Sequence, residues 1–311
     1  MNVRPFYWRD LPSLYRYRRQ SVFLNSFLLL TRGPLLIPGA LLSSISPTMG
    51  VFTCIGKDDR KDGRSIVGQI VHRTGSQFSH LTFLTPEDAL EDHILSGVIE
   101  YLTVVSGERG AIHLAADVDE RCTAFEALRR SSFATYSKQR VWRFDNTLAV
   151  DHNQRTWRVA TDRHAHAIGA LYRNLVPGMV QQIEPYSKRQ PRGMISHQDD
   201  QILAYVEISY GHRGIWVQPF VHPDITDVVE KLGELIAKIP DRRSRPVYIC
   251  VRSYQSWLEP ALEELGAEPG PAQAVLIKHL AVSQKPALAS EMPAIEGSQP
   301  EVTATITHTE T

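Results

Sequence analysis

Three cysteines are all that 311 residues carry. Cys54, Cys122 and Cys250 are odd in number, far apart and without a C-x-x-C pair, which excludes a disulfide framework and a thiolate zinc site and suits a reducing cytoplasm. An excess of either charge is also missing: Lys+Arg and Asp+Glu both count 34, so no global field draws the chain to nucleic acid or to an anionic membrane surface. There is no H-E-x-x-H pair for a metal and no G-x-S-x-G for a serine nucleophile. His164 and His166 flank Ala165 at a helix start and point to different faces, so they form no metal pair. Finally, no apolar run is long enough to span a bilayer. The one rich stretch, 21–56, is split by Arg32 and broken by Gly33-Pro34, Pro38-Gly39 and Pro47, which leaves neither anchor nor signal sequence.

What is present is ordinary globular material, 42% hydrophobic and 22% charged, with length for two cores of about 140 residues each. The chain also repeats itself. Residues 111–144 read as strand, helix and strand, with Phe133 closing the helix end. Residues 247–280 read the same way, with Ala127-Leu128 falling on Ala261-Leu262. Ahead of each ending comes the same order: a short strand, a helical region, three strands and a long helix. Asp10 and Thr161 are the expected caps of the first helices. Polar loops at 57–63 and 197–200 mark hairpins, as does the turn Tyr210-Gly211-His212-Arg213-Gly214. Pro86 and Pro223 stand where a long helix would begin, at its first position. The expected division is 1–151 and 152–282. A tail at 283–311, rich in Pro, Ala, Ser, Glu and Thr, is expected to be disordered.

In this order, twice over, the chain resembles the GNAT superfamily of N-acetyltransferases. Arg4-Pro5 with Asp10-Leu11-Pro12, and Trp157-Arg158-Val159-Ala160-Thr161, resemble the family's opening strand and first helix. Val67-Gly68-Gln69-Ile70 and Leu203-Ala204-Tyr205-Val206 resemble its third strand. Leu262-Glu263-Glu264-Leu265-Gly266 resembles its Tyr-Glu-Lys-Leu-Gly-Phe helix end. The resemblance implies an α/β fold of two acyl-CoA N-acyltransferase-like domains, each a mixed, mostly antiparallel sheet with helices on both faces. It implies acetyl-CoA or another acyl-CoA as cofactor, no metal, and a small-molecule or peptide amine as acceptor. It places the cofactor against Phe83, Leu84 and Thr85 in the first domain and Phe220 and Val221 in the second, where the fourth and fifth strands splay apart.

Two features depart from the family. Its phosphate loop, which sets backbone N–H groups of a helix N-terminus against pyrophosphate, needs small residues. Here 85–92 and 222–227 hold no glycine and several acids, which the reading above puts at the helix starts as caps. Leu128 and Leu262 stand where the family's tyrosine acid would be, and leucine donates no proton. Tyr136 and Glu207 are the remaining candidates for acid and base. Arg121, Arg129, Arg130, Lys138, Arg140 and Arg143 make 111–144 basic, and a solvated face accounts for them better than a nucleotide site does. The sequence therefore points to a tandem acetyltransferase-like protein with impaired or unusual activity, or to a non-catalytic binding or scaffold protein on the same fold.

Overall fold

A computed structural model describes residues 2–34, 36–45, 50–57, 65–145, 156–186, 190–198 and 201–280. The 151/152 boundary and the 283–311 tail lie outside them.

In the first half β1 (Asn2–Pro5) leads to α1 (Leu11–Tyr17), the two-residue β2 (Val22–Phe23), α2 (Ser26–Arg32) and α3 (Leu36–Ile45). The strands β3 (Val51–Lys57), β4 (Ser65–His72) and β5 (Phe78–Thr85) form a meander. Then come α4 (Ile94–Glu108), β6 (His113–Asp119), α5 (Thr123–Arg130) and β7 (Ala134–Phe144). The second half repeats the plan with β8 (Trp157–Val159), α6 (Ala165–Leu175), α7 (Gly178–Ile183), β9 (Gly193–Gln198), β10 (Gln201–Tyr210) and β11 (Ile215–Val221). It ends with α8 (Val228–Lys238), β12 (Val247–Arg252), α9 (Glu259–Glu264) and β13 (Glu268–His279).

Local chemistry fixes several of these boundaries. Asp10 closes its single-turn 3-10 helix by accepting the Tyr7 N–H at 3.0 Å and both Arg4 guanidinium nitrogens at 2.7 Å. Thr161 does start the equivalent turn, with its N–H donated back to His164 Nδ1 at 3.0 Å. The helices α5 and α9 end identically. Ser132 (φ 67) and Gly266 (φ 78) turn left-handed. Phe133 N–H reaches Leu128 O at 3.1 Å, and Ala267 N–H reaches Leu262 O at 3.0 Å. These are the long bonds of a Schellman close, with Phe133 and Ala267 tucked under the helix. Gly56 and Gly68 let α4 lie against the sheet, since a Cβ on either would come within 2.7 or 2.9 Å of Val98 methyls.

The long helices begin later than the prolines suggest. Pro86 precedes a 3-10 turn at Glu87–Ala89, and α4 starts at Ile94 behind His93. Pro223 lies in a turn, and α8 starts at Val228 behind the left-handed Asp227. The apolar 4-residue spacing of Leu90 with Ile94 continued across a break in the backbone, which made the helix look longer than it is.

Helices cover both faces of both halves. In the first, α4 and α5 bury Ile94, Val98, Leu102 and Leu128 on one face, while Phe6, Leu14 and Ala40 pack with Phe83 on the other. In the second, α8 and α9 bury Leu232, Leu235, Ile236 and Leu262, and α6 and α7 bury Ile168, Leu171, Val180 and Ile183.

The sheet is continuous through the whole described fold, in the order β1-β3-β4-β5-β6-β13-β7-β12-β11-β10-β9-β8. The last strand of each half is thus exchanged. β13 lies antiparallel between β6 and β7, and β7 lies antiparallel between β12 and β13. Each half lends a strand to the other: Ala274 and Leu276 of β13 enter the first core, and Trp142 and Phe144 of β7 enter the second. At the centre Gln139 sits opposite Gln273, the equivalent position of the other copy, and donates to its Oε1 at 3.0 Å. Pro269 and Pro271, which have no N–H for a ladder, fall at a register shift in β13 where none is needed.

Two outcomes are expected. Leu276→Ala, at a fully buried site, should cost about 2–5 kcal/mol, and because β13 belongs to the first core, calorimetry should still show one transition for both halves. At the exchange, His113 packs 4.9 Å from His279 and 5.2 Å from Phe78. Burial, then the neighbouring His279, push its pKa below the ordinary value. The unfolded chain therefore takes up a proton first, so stability should be full above about pH 6.5 and decline as pH falls below it. Denaturant titrations of the wild type and His113→Phe across that window check this, with the slope reduced in the variant.

Candidate functional site

The parallel pair β5 and β6 is hydrogen-bonded from Phe78↔His113 to His80↔Ala115 and then splays apart. The gap is filled by the chain itself. β2 pairs with β5 at Val22↔Leu84 and Phe23↔Phe83. Leu24 N–H then donates to Thr82 O at 2.9 Å, and Asp117 N–H donates to Leu24 O at 2.9 Å. Leu24 thereby bridges both walls. The Asp117 carboxylate accepts the Ser26 N–H at 2.8 Å, and Asn25 caps α2 by accepting Leu28 N–H at 2.9 Å. Of the residues expected against a cofactor here, Phe83, Leu84 and Thr85 are all buried. The Thr85 hydroxyl donates to Tyr17 O at 3.0 Å. The strand edge they would offer to an extended ligand is already paired with β2.

In the second half the pair β11 and β12 is bonded as far as Val217↔Ile249 and splays after it. No strand enters. Instead the amide of Gln255, 2% exposed, inserts from the turn after β12: Oε1 accepts Val221 N–H at 3.0 Å and Nε2 donates to Val221 O at 2.8 Å. One side chain thus satisfies both backbone groups of a candidate cofactor residue. Phe220, the other, stacks on Tyr205 and packs against Tyr172.

Next to this splay, on the face covered by α6 and α7, lies a cleft of about 630 Å³ lined by Tyr172, Glu184, Glu207, Phe220, Arg252 and Tyr254 among others. Arg252, the last residue of β12, donates to Glu184 Oε1 at 3.0 Å. Tyr136, reaching in from the exchanged β7, donates its hydroxyl to the same oxygen, and the Tyr172 hydroxyl donates to the Glu184 carbonyl. Burial works against charge on Arg252, but Glu184 outweighs it and holds the guanidinium protonated. Burial raises the Tyr136 pKa, and pushes that of Tyr172 up to about 12. These phenols remain protonated donors at neutral pH. Tyr136 and Glu207, the two candidates for acid and base, come to this one region: Tyr136 through Glu184, and Glu207 directly on the lining.

The other candidates disperse. Glu87 accepts from Thr123 Oγ1 at 3.1 Å rather than standing at the start of α4, whose first turn holds no acid. The basic stretch is largely paired: Lys138 with Glu120 at 2.8 Å, Arg140 with Glu259 at 2.7 Å and Arg143 with Asp145 at 2.9 Å. Leu128 and Leu262 are fully buried core residues. Cys54 and Cys250 are buried thiols whose pKa burial pushes up to about 12, far from thiolate chemistry. Among the described residues no group of three metal-ligating side chains comes together, and no helix is long and apolar enough to cross a membrane.

Sequence reasoning missed Gln255, Glu184 and the role of 22–24. Arg252 and Asp117 did carry a signal, a charged residue within or ending an otherwise apolar strand, VYICVR and HLAADVD.

Element order, sheet order and the paired splays define an N-acetyltransferase-like (GNAT) fold present twice. No protein-family model matches the chain, and no curated protein matches it in sequence. Among solved structures it is similar to a functionally unknown conserved protein from Staphylococcus epidermidis ATCC 12228, with TM-score 0.50 and 11% identity over 73% of this chain and 95% of that one. It is also similar to a tandem GNAT protein from the clavulanic acid biosynthesis pathway, with TM-score 0.49 and 13% identity over 90% and 98%. A third is a GCN5-related N-acetyltransferase from Sphaerobacter thermophilus, with TM-score 0.46 and 10% identity over 73% and 80%. At such identities the likeness is one of fold.

Gln255→Ala should orphan a buried N–H and a buried C=O at Val221, at about 1–3 kcal/mol for each group left without water. Urea titration gives the loss directly, and a change under 0.5 kcal/mol would mean that solvent already reaches the splay.

Proposed function

We propose that this is a tandem acyltransferase-fold protein in which transfer from acyl-CoA to an amine is lost from the first half and held back in the second, and that it works by binding a small ligand in the cleft beside Arg252. The observation that carries this reading is that each splay has its backbone groups satisfied from within, by Leu24 and β2 in one half and by Gln255 in the other. The extended arm of an acyl-CoA gains its seat by hydrogen bonding to such an edge, and an edge already paired offers it nothing. The sequence adds that neither loop after the fourth strand carries a glycine for close approach to a pyrophosphate, and that leucine replaces the tyrosine acid in both copies.

A second reading has its own support. Among the described residues only a side chain closes the second splay, and a side chain rotates more readily than a strand unpairs. With Gln255 swung out, acetyl-CoA or another acyl-CoA would meet an acceptor cleft already lined by Glu207 and Tyr254. A small-molecule or peptide amine would enter there, with Glu207 as base through water. The balanced charge and the free thiols of Cys54, Cys122 and Cys250 fit a cytoplasmic place for either reading.

Thermal unfolding with millimolar acetyl-CoA separates the two. No shift is expected for the wild type. Stabilisation of about 2.7 kcal/mol, the value for ligand at a hundred times its dissociation constant, would overturn the binding-protein reading. Stabilisation that appears only in Gln255→Ala would identify the glutamine as the plug of an otherwise competent site.

A further inference from the structure

The cleft beside Arg252 shares Ser76, Phe78, Gln218 and Arg252 itself with a second chamber of about 350 Å³. It is built by both halves. The end of α2 supplies Arg32, the residue after β4 supplies Arg73, and the end of β12 supplies Arg252. Its apolar walls are Phe27, Phe78 and Trp216, with the Phe27 and Trp216 rings edge-to-face at 5.8 Å.

Three guanidiniums thus line one small chamber. Arg32 and Arg73 make no ion pair among the described residues. Arg252 spends one nitrogen on Glu184, while its buried Nη1 has no hydrogen-bond partner. The opposing carboxylate on the lining, Asp117, is committed to the Ser26 N–H, and its depth in the chamber raises its pKa. His80 lies deep in the chamber yet open to it. Its burial lowers its pKa, so it adds a neutral donor or acceptor at pH 7. An unpartnered nitrogen on an arginine that lines a pocket is an unmet demand for an acceptor, and Arg is the side chain whose planar fork suits an oxyanion bidentately. Flat aromatic walls suit a flat apolar body.

We propose that this chamber binds a small aromatic oxyanion, a carboxylate or phosphate monoester, with its charged end held among Arg32, Arg73 and Arg252 and its ring against Trp216 and Phe78. The inference rests on the seam-binding reading above and names its ligand class.

The test uses the full chain labelled with 5-fluorotryptophan, the Trp216 resonance being assigned with Trp216→Phe. Benzoate and phenyl phosphate are titrated against neutral benzamide and cationic benzylammonium. One or both anions should move the Trp216 resonance saturably, the neutral and cationic probes should not, and the better anion decides between carboxylate and phosphate. Arg73→Gln and Arg32→Gln should each weaken that anion about tenfold, the loss of one charge-assisted contact. The exposed and distant Arg129→Gln should leave it unchanged. Equal or stronger response to benzamide or benzylammonium would overturn the oxyanion assignment while leaving the seam-binding reading in place. Anion binding indifferent to both arginine variants would also overturn it. Absence of response to every probe would overturn the inference alone, and if acetyl-CoA stabilises the same sample, the seam-binding reading falls with it.

Discussion

The exchange of β7 and β13 is the constraint on which the rest of the molecule depends. A strand in the middle of a sheet must pair on both edges, because a buried N–H or C=O left alone costs about 1–3 kcal/mol. β7 finds its two edges in β12 and β13, and β13 finds its own in β6 and β7. Neither strand is completed by its own half. The division of the chain into two copies is therefore not a division of the sheet, and the two cores share their last strands. Opposed glutamines at equivalent positions, Gln139 and Gln273, sit where the copies meet, and the Gln273 amide passes the network on to Ser26 Oγ at 2.9 Å. The pair fixes the register, since sliding by one residue would set Gln139 opposite Ala272 or Ala274 and lose the amide contact.

That fusion also creates the cleft. Tyr136 reaches Glu184 only because β7 crosses into the second half, and α2 reaches the β10–β11 turn, where Arg213 N–H donates to Thr31 O at 3.0 Å. Once the halves are joined at the centre, the space beside the seam is walled by both, with charged ends of elements pointing into it. An arginine in such a place keeps its charge because Glu184 stands against it and outweighs the cost of burial.

Much of the fold was legible in the sequence because it is written in period and punctuation. Strands such as β10 and β11 follow β-branched alternation, α8 follows the spacing of Leu232, Leu235 and Ile236, and the Schellman closes repeat at Phe133 and Ala267. Periodicity tells which face of an element is buried, but not which strand lies beside it. The exchange was invisible for that reason. Pro86 and Pro223 misled because proline fixes a backbone angle equally well in a turn and in a first helical turn. The candidate site was legible only in its departures from the family pattern. Leu128, Leu262 and the missing glycines could be read, while what replaced them could not: two residues of β2 are too few to show alternation, and nothing in Ser-Tyr-Gln-Ser announces that one glutamine will serve a backbone thirty-four residues upstream.

The two halves have closed the same gap by unequal means, and the inequality follows from what each segment must also do. In the first half, Leu24 is tied on one side to Thr82 and on the other to Asp117, Asn25 starts α2 one residue later, and Thr85 holds Tyr17. Opening that splay would unpair a strand and unseat a helix together. In the second half the closing group is a single amide whose backbone belongs to the turn after β12, so removal disturbs two hydrogen bonds and no secondary structure. The groove of the first half is thus closed by the framework and that of the second by one side chain. The seam cleft lies beside that second groove. Any ligand that draws on Arg252 acts at the last residue of β12, and Gln255 stands in the turn that follows directly.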